Sequence, residues 1–215
     1  MKDFIIYGAG DFADIVRYYI EKDLKCNVAC YTVESKFIEQ EEKGGLPVVP
    51  FEKLEMRFKP CDYFVAIGIV GRGMFQVRAL AYNAIKEKGY EMPNIIHSTA
   101  SNCAETIGDA NIIMDNSVIG PMCRIGCGNI IWPCVSIAHQ NVVGDFNQFA
   151  GCSSSVGMIE IGSHCFIGNN CTLNAKIADY TFVGAGTYIR KNTEEYGVYT
   201  TPREVKLDRR SVDIY

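Results

Sequence analysis

An apolar residue recurs at every sixth position from Ile107 to Phe149. Ile107, Ile113, Ile119, Ile125, Ile131, Ile137, Val143 and Phe149 form one unbroken series. Ser155 interrupts it. Ile161, Ile167 and Leu173 resume it in phase, and Ile177, Val183 and Ile189 follow after a two-residue slip. Small residues such as Asn111, Ser117, Cys123, Asn129, Asn141, Asn147, Cys165 and Cys171 stand four positions beyond the apolar ones. A helix repeats at 3.6 and a half-buried strand at 2.0, so neither yields a period of six. A β-helix does. One aliphatic residue per hexad points to the axis, and three hexads close a triangular coil of eighteen residues. Successive coils rise by about 4.8 Å, one strand spacing. Residues eighteen apart therefore lie one above the other.

The residues ahead of the repeat follow a different rhythm. Residues 4–7 form a short apolar strand, and Gly8-Ala9-Gly10-Asp11-Phe12-Ala13 makes a GxGxxA turn. Phe12, Ile15, Val16, Tyr19 and Ile20 then mark one face of a helix, and residues 28–31 a second strand. Glycines at such a turn let backbone N–H groups approach a phosphate at the helix N-terminus. The acidic residue a dinucleotide site needs after the second strand is missing at Thr32 and Val33, with Glu34 next. Residues 39–45 read as a charged loop, residues 47–49 and 63–67 as strands, and 51–56 as a short helix. A glycine-broken loop, 68–73, leads to a helix with Val77, Leu80, Ala81, Ala84 and Ile85 inside. Residues 94–97 read as the last strand of this unit. The pattern predicts a small Rossmann-like α/β domain over 1–97, a parallel β-helix over 98–195 and a tail over 196–215.

Charge and cysteine content narrow the partners. A formal net charge of -4 with scattered cations argues against a nucleic-acid or anionic-membrane surface. No uncharged apolar run is long enough to span a bilayer. Ten cysteines without a recognisable export signal point to reduced thiols and a cytoplasmic location. None forms a CxxC pair, and no Cys/His cluster has metal-site spacing, so no metal is expected. Cys134 and Cys152 are eighteen apart and stack in adjacent coils.

Only three histidines are available as a base. His97 falls at the junction of the two units, and His164 on an outward, solvated corner. His139 follows Ile137-Ala138 at a coil corner, with Gln140 and Asn141 beside it and Gly157 eighteen residues beyond. A neutral imidazole there can take a proton from an attacking amine or hydroxyl, and a backbone N–H one coil up can stabilise an oxyanion. A lone surface histidine accounts for the same residues.

The hexads, the GxGxxA turn, Ala66-Ile67-Gly68 with Arg78 beyond, and Ile95-Ile96-His97 together resemble the hexapeptide-repeat sugar acyltransferases with an N-terminal nucleotide-binding domain. These are the nucleotide-aminosugar N-acetyltransferases and sialic-acid O-acetyltransferases. The resemblance implies a left-handed β-helix, a hand that the period does not choose. It implies a nucleotide-linked sugar held by Gly8, Gly10, Asp11 and Gly68, with Trp132 near the acceptor. His139 would be the catalytic base, oriented by Gln140, with Gly157 one coil further. Acetyl-CoA would lie outside the coils between subunits of a homotrimer, reaching Gly184, Ala185, Gly186, Pro202 and Arg203. Several positions depart from the family: Gln140 replaces an acid, Gln148 a second histidine, Trp132 a smaller polar residue and Thr32-Val33 an acidic pair, and the closing Gly-x-Pro-Ala-basic pattern is worn down to Thr201-Pro202-Arg203. Arg78 is expected to meet a carboxylate or a phosphate. The leading reading is N-acetylation of a nucleotide-linked amino sugar by direct attack. O-acetylation of a sugar hydroxyl and a catalytically weakened sugar-nucleotide-binding trimer are the alternatives.

Overall fold

A computed structural model describes residues 2–70 and 76–202. The tail 203–215, with Arg203, and residues 71–73 of the predicted loop lie outside the described residues. The N-terminal elements are β1 (Asp3–Tyr7), α1 (Asp11–Tyr18), β2 (Val28–Val33), β3 (Glu42–Lys43), β4 (Leu46–Pro50), α2 (Leu54–Arg57), β5 (Tyr63–Ile67) and α3 (Gln76–Glu87). The five strands form one sheet in the order β3-β4-β2-β1-β5, parallel except for the β3–β4 hairpin.

Alternation along β1 divides the core. Phe4 and Ile6 face α1 together with Val16, Ile20 and Tyr31, while Ile5 and Tyr7 face Leu54, Ala81 and Ile85 on the other side. Both faces are covered, as a parallel sheet requires. In α3 the inward residues are Arg78, Ala81 and Ile85, whereas Val77 and Leu80 are exposed. The expected apolar face is thus rotated. The cause is Arg78, whose guanidinium is buried and donates to the carbonyl oxygens of Ile67, Ile69, Ala110 and Gly128. Among the described residues it meets no carboxylate, and burial pushes its pKa down to about 9.

The repeat is a three-faced parallel β-helix of two-residue strands. One face has seven strands between Ile95 and Tyr199, one has six between Ser101 and Ile189, and one has four between Thr106 and Ile161. The inward aliphatics form one cluster from Ile113 to Ile189. Corner residues including Asn116, Met122, Cys134, Gln140, Phe146, Cys152, Met158, His164 and Asn170 sit at φ between +55° and +62°. This left-handed conformation turns the chain between faces. The small residues work inside the corners. Asn111, Asn129 and Asn147 are buried, and each side-chain oxygen accepts the backbone N–H one coil above, at 2.8, 2.8 and 2.7 Å.

Two boundaries differ from the sequence reading. Ile95–Ile96 does not close the N-terminal sheet: it pairs in parallel with Ile112–Ile113 as the first rung of the seven-stranded face. Val198–Tyr199 pairs with Phe182–Val183, so the coil runs into the segment read as tail. The α/β layer is docked on the seven-stranded face, where Ile112, Met114 and Ile130 join the cluster of Phe4, Ile6 and Phe12.

Candidate active site

His139 and Gln140 occupy the corner between the six- and four-stranded faces. Gln140 adopts φ +59°, which turns its side chain back so that Oε1 lies 3.0 Å from His139 Nδ1. With that oxygen accepting, Nδ1 carries the proton and Nε2 keeps its lone pair. Gly157 is the residue one coil above. A Cβ built on it would fall 2.5 Å from His139 Cε1 and 2.6 Å from Nε2, so the imidazole stands directly against the Gly157 backbone.

The Gly157 N–H has no acceptor among the described residues. Three equivalent groups at the next corner are capped. Cys127, Asp145 and Ser163 donate to the side chains of Asp145, Ser163 and Asp179 at 2.7, 3.0 and 2.8 Å. Above Gly157 the stacked residue is Ala175, which offers no oxygen. A free N–H therefore stands beside an imidazole with a free lone pair, which is the pair of groups that acyl transfer needs.

Rung register extends this line. Ser154–Ser155 pairs with Thr172–Leu173, which pairs with Tyr188–Ile189, so His139, Gly157, Ala175 and Lys191 lie on one edge. Three rungs separate the first from the last, about 14 Å at ~4.8 Å each. Lys191 and its neighbour Arg190 are exposed. Sequence reasoning did not select them, although stacking across the two-residue slip points to them. Met122 and Met158, on either side of Gln140, are exposed apolar residues on the same corner. Gly184, Ala185 and Gly186 lie at the opposite edge of the six-stranded face, before Tyr188, and do not stack over His139. Pro202 is exposed beyond the last rung. Gln148 faces outward on the seven-stranded face, nearly buried, and is not brought to His139 within the chain.

A second concavity lies in the N-terminal layer. A cavity of about 340 Å³ is lined by Tyr7, Gly8, Gly10, Glu34, Phe37 and Val77, among others. Gly8 has φ +121°, and a Cβ there would meet the Gly68 carbonyl oxygen at 2.6 Å. Gly10 has open space around it. Gly68 is a packing glycine, wedged against Ile6 and Ala13, and is not among the residues lining the cavity. Asp11 is exposed in the first turn of α1. Trp132 packs against Phe12, ring centroids 5.7 Å apart, beside the glycine turn and away from the His139 corner. Thr32 is buried and donates to the Val49 carbonyl at 2.8 Å, which explains why no acid stands there. Glu34 takes the cavity position instead. Burial, reinforced by a hydrogen bond with Glu34, pushes the Tyr7 phenol up.

The segment read as a loop is the β3–β4 hairpin that walls this cavity. Lys43 crosses from it to the glycine turn, donating to the carbonyls of Ala9 (2.7 Å) and Gly10 (3.3 Å), and pairs with Asp14 at 3.0 Å.

The other histidines are engaged elsewhere. His97 sits between Asp23 (3.5 Å) and Thr99 (2.9 Å) at the junction. His164 is not solvated as its corner position suggested: it stacks between Phe146 and Tyr180 at 5.4 and 4.8 Å. All ten cysteines are free, and burial pushes Cys165 up to about 12 and Cys123 and Cys171 upward, which suits packing and not nucleophilic attack.

No protein-family model matches the chain. Solved structures do resemble it. The acetyltransferase domain of PglB from Neisseria gonorrhoeae superposes with a TM-score of 0.81 at 18% identity, covering 94% of this chain and 97% of that one. PerB from Caulobacter crescentus, solved with CoA and GDP-perosamine, gives 0.81 at 20% identity over 94% and 95%. WeeI from Acinetobacter baumannii AYE gives 0.74 at 20% identity over 93% and 96%. At these identities the likeness is one of fold, and it spans nearly the whole chain. The stacked parallel rungs fit the left-handed β-helix of the hexapeptide-repeat acetyltransferases.

Proposed function

We propose that this protein transfers an acetyl group from acetyl-CoA to the amino group of a nucleotide-linked amino sugar. The observation that carries the reading is the His139 imidazole, held by Gln140 through Nδ1 and set against the uncapped Gly157 N–H. Acetyl-CoA supplies the activated carbonyl. The Gly157 N–H donates to the oxygen that gains charge as the C–N bond forms. His139 Nε2 takes the proton of the attacking amine and returns it to the sulfur as the C–S bond breaks. Free cysteines pushed upward by burial favour direct attack over a thioester on the protein.

The length of the His139 edge supports the donor class. A pantetheine arm runs about twelve bonds from sulfur to phosphate, equal to roughly four residues of extended backbone, or ~14 Å. The rise from His139 to Lys191 is also about 14 Å. Lys191 and Arg190 are therefore the proposed phosphate contacts. Gly184, Ala185, Gly186 and Pro202 are proposed to reach the donor from a neighbouring copy. The N-terminal cavity, with Gly8 and Gly10 at one end and Glu34 at the other, is the proposed seat of the nucleotide. Asp11 and Trp132 flank this seat.

Two names among the structural neighbours bear on the substrate. The PglB domain has been solved with acetyl coenzyme A, and the Caulobacter protein is a perosamine N-acetyltransferase. An amine also suits Gln140 better than an alcohol would. Gln140 brings no negative charge to the ring, and an amine loses its proton mainly after attack has begun.

The test is CoA release from acetyl-CoA with a panel of GDP-, UDP- and dTDP-linked amino and hydroxy sugars. We expect turnover with an amino sugar, and His139→Ala should lower kcat roughly 10²–10⁴-fold while ligand binding persists. Release with hydroxy sugars alone would make it an O-acetyltransferase. Wild-type turnover by His139→Ala would remove His139 as the base.

A further inference from the structure

Ser155 is the one position where the inward apolar series from Ile107 to Leu173 fails. It is 9% exposed and points into the axis between Ile137 and Leu173, where an aliphatic side chain would bury more apolar surface. Its hydroxyl oxygen accepts two hydrogen bonds, from the Ala138 N–H at 3.2 Å and from Asn141 Nδ2 at 2.6 Å. Those two residues bracket His139 and Gln140.

The first of these bonds replaces a rung of the coil-to-coil ladder. At the same place in the other coils the N–H donates to the backbone carbonyl one coil above. Cys103 donates to Ile119, Gly120 to Ile137, Val156 to Leu173 and Asn174 to Ile189, at 2.8–2.9 Å. On the six-stranded face only the Ala138 N–H leaves that ladder, turning to a side chain instead; on the four-stranded face Ala178 does likewise, donating to the Thr193 hydroxyl at 2.8 Å far from His139. Pairing of the two strands is correspondingly reduced to Ser136 with Ser154. A local break of this kind re-aims the backbone beside it, as bulges next to active sites do.

We infer that Ser155 is a positioning residue: its inward hydroxyl holds the 138–141 corner off the regular ladder and so sets where the His139 imidazole stands over Gly157. Ser155 is two residues before Gly157 on one strand and bonded to both flanks of His139 on the other. It therefore fixes the separation between base and N–H donor. This rests on the reading of His139 as the base, but the displacement of the ring can be observed without it.

The experiment compares Ser155→Val with Ser155→Thr, which differ chiefly by the hydroxyl. His139 is one of three histidines, so its Cε1–H resonance is assigned by its loss in His139→Ala. Ser155→Val completes the aliphatic series and allows the Ala138 N–H to rejoin the ladder. We expect its Tm to rise by about 2–4 °C. We expect the His139 resonance to move while those of His97 and His164 stay. With acetyl-CoA and the panel member that the wild type acetylates, kcat should fall roughly 10- to 100-fold at little changed KM, and Ser155→Thr should restore it. An unmoved His139 resonance in Ser155→Val would overturn the inference, as would equal loss of kcat in both variants. If the resonance moves but the wild type acetylates nothing on the panel, the positioning role stands and the acetyltransferase reading fails.

Discussion

Gly157 illustrates how much a single missing side chain decides. Its φ is ordinary, so the need for glycine is not conformational; it comes from the imidazole lying where a Cβ would be. Because His139 is exposed, Gly157→Ala should fold normally and push the ring outward, away from the N–H. We expect an unchanged Tm and a kcat lowered at least about 10-fold, measured by CoA release. The stacking of His139 against Gly157 was legible in the sequence, because the two stand one eighteen-residue coil apart. Ser155 was legible only as an irregularity. Its purpose depends on which N–H groups face the axis, and no periodicity carries that information.

At the scale of elements, the junction between α3 and the β-helix is held by charge as well as packing. Asp109, at the foot of the coil, accepts from Tyr82 at 2.7 Å and pairs with Lys86, both on α3. Burial alone would raise its carboxyl, but the Lys86 and Tyr82 hydrogen bonds outweigh this and hold it below its ordinary 3.8. A depressed pKa stabilises the fold above the unfolded value and is lost as pH falls through the folded one. Asp109→Asn should therefore cost about 1 kcal/mol near neutral pH, given its partial exposure. In acid titrations followed by Tm, the difference between variant and wild type should shrink below about pH 4. The same junction shows why α3 turns inward a different face from the one its apolar stripe predicts. Val77 and Leu80 fit an apolar stripe, yet Arg78 is inside because four carbonyl oxygens from two separate units converge on it.

For the whole molecule, the exposed apolar residues have a distribution of their own. Val118 and Tyr188 stand on the six-stranded face, and Met122 and Met158, 56% and 70% exposed, line the His139 edge. A solenoid leaving such a strip open is suited to packing against copies of itself. We expect a homotrimer in light scattering at micromolar concentration, with the proposed donor groove between copies. Met158→Glu puts a charge on that strip and should shift the population toward monomer and lower turnover. A monomeric wild type would remove the groove from the proposal.

The sequence by itself determined the β-helix, its coil length, its inward residues and the alignment of His139 with Gly157. All of these follow from a period, and a period is a local property of the chain. It also marked the α/β layer and its glycine turn through alternation and helical spacing. Tertiary structure alone decided what depends on contacts between distant segments. Ile95–Ile96 joined the coil because the Asn111 and Ile113 carbonyls accept from the Ile95 and His97 N–H groups. The charged stretch 39–45 became a cavity wall because Lys43 found the glycine turn 33 and 34 residues away. Gly184, Ala185 and Gly186 fell on the far edge from His139 because Phe182–Val183 joins the seven-stranded face and Tyr188–Ile189 the six-stranded one, so the turn between them lies at the corner those two faces share. Hexads fix what stacks above what; only the folded coil shows which edge meets which neighbour.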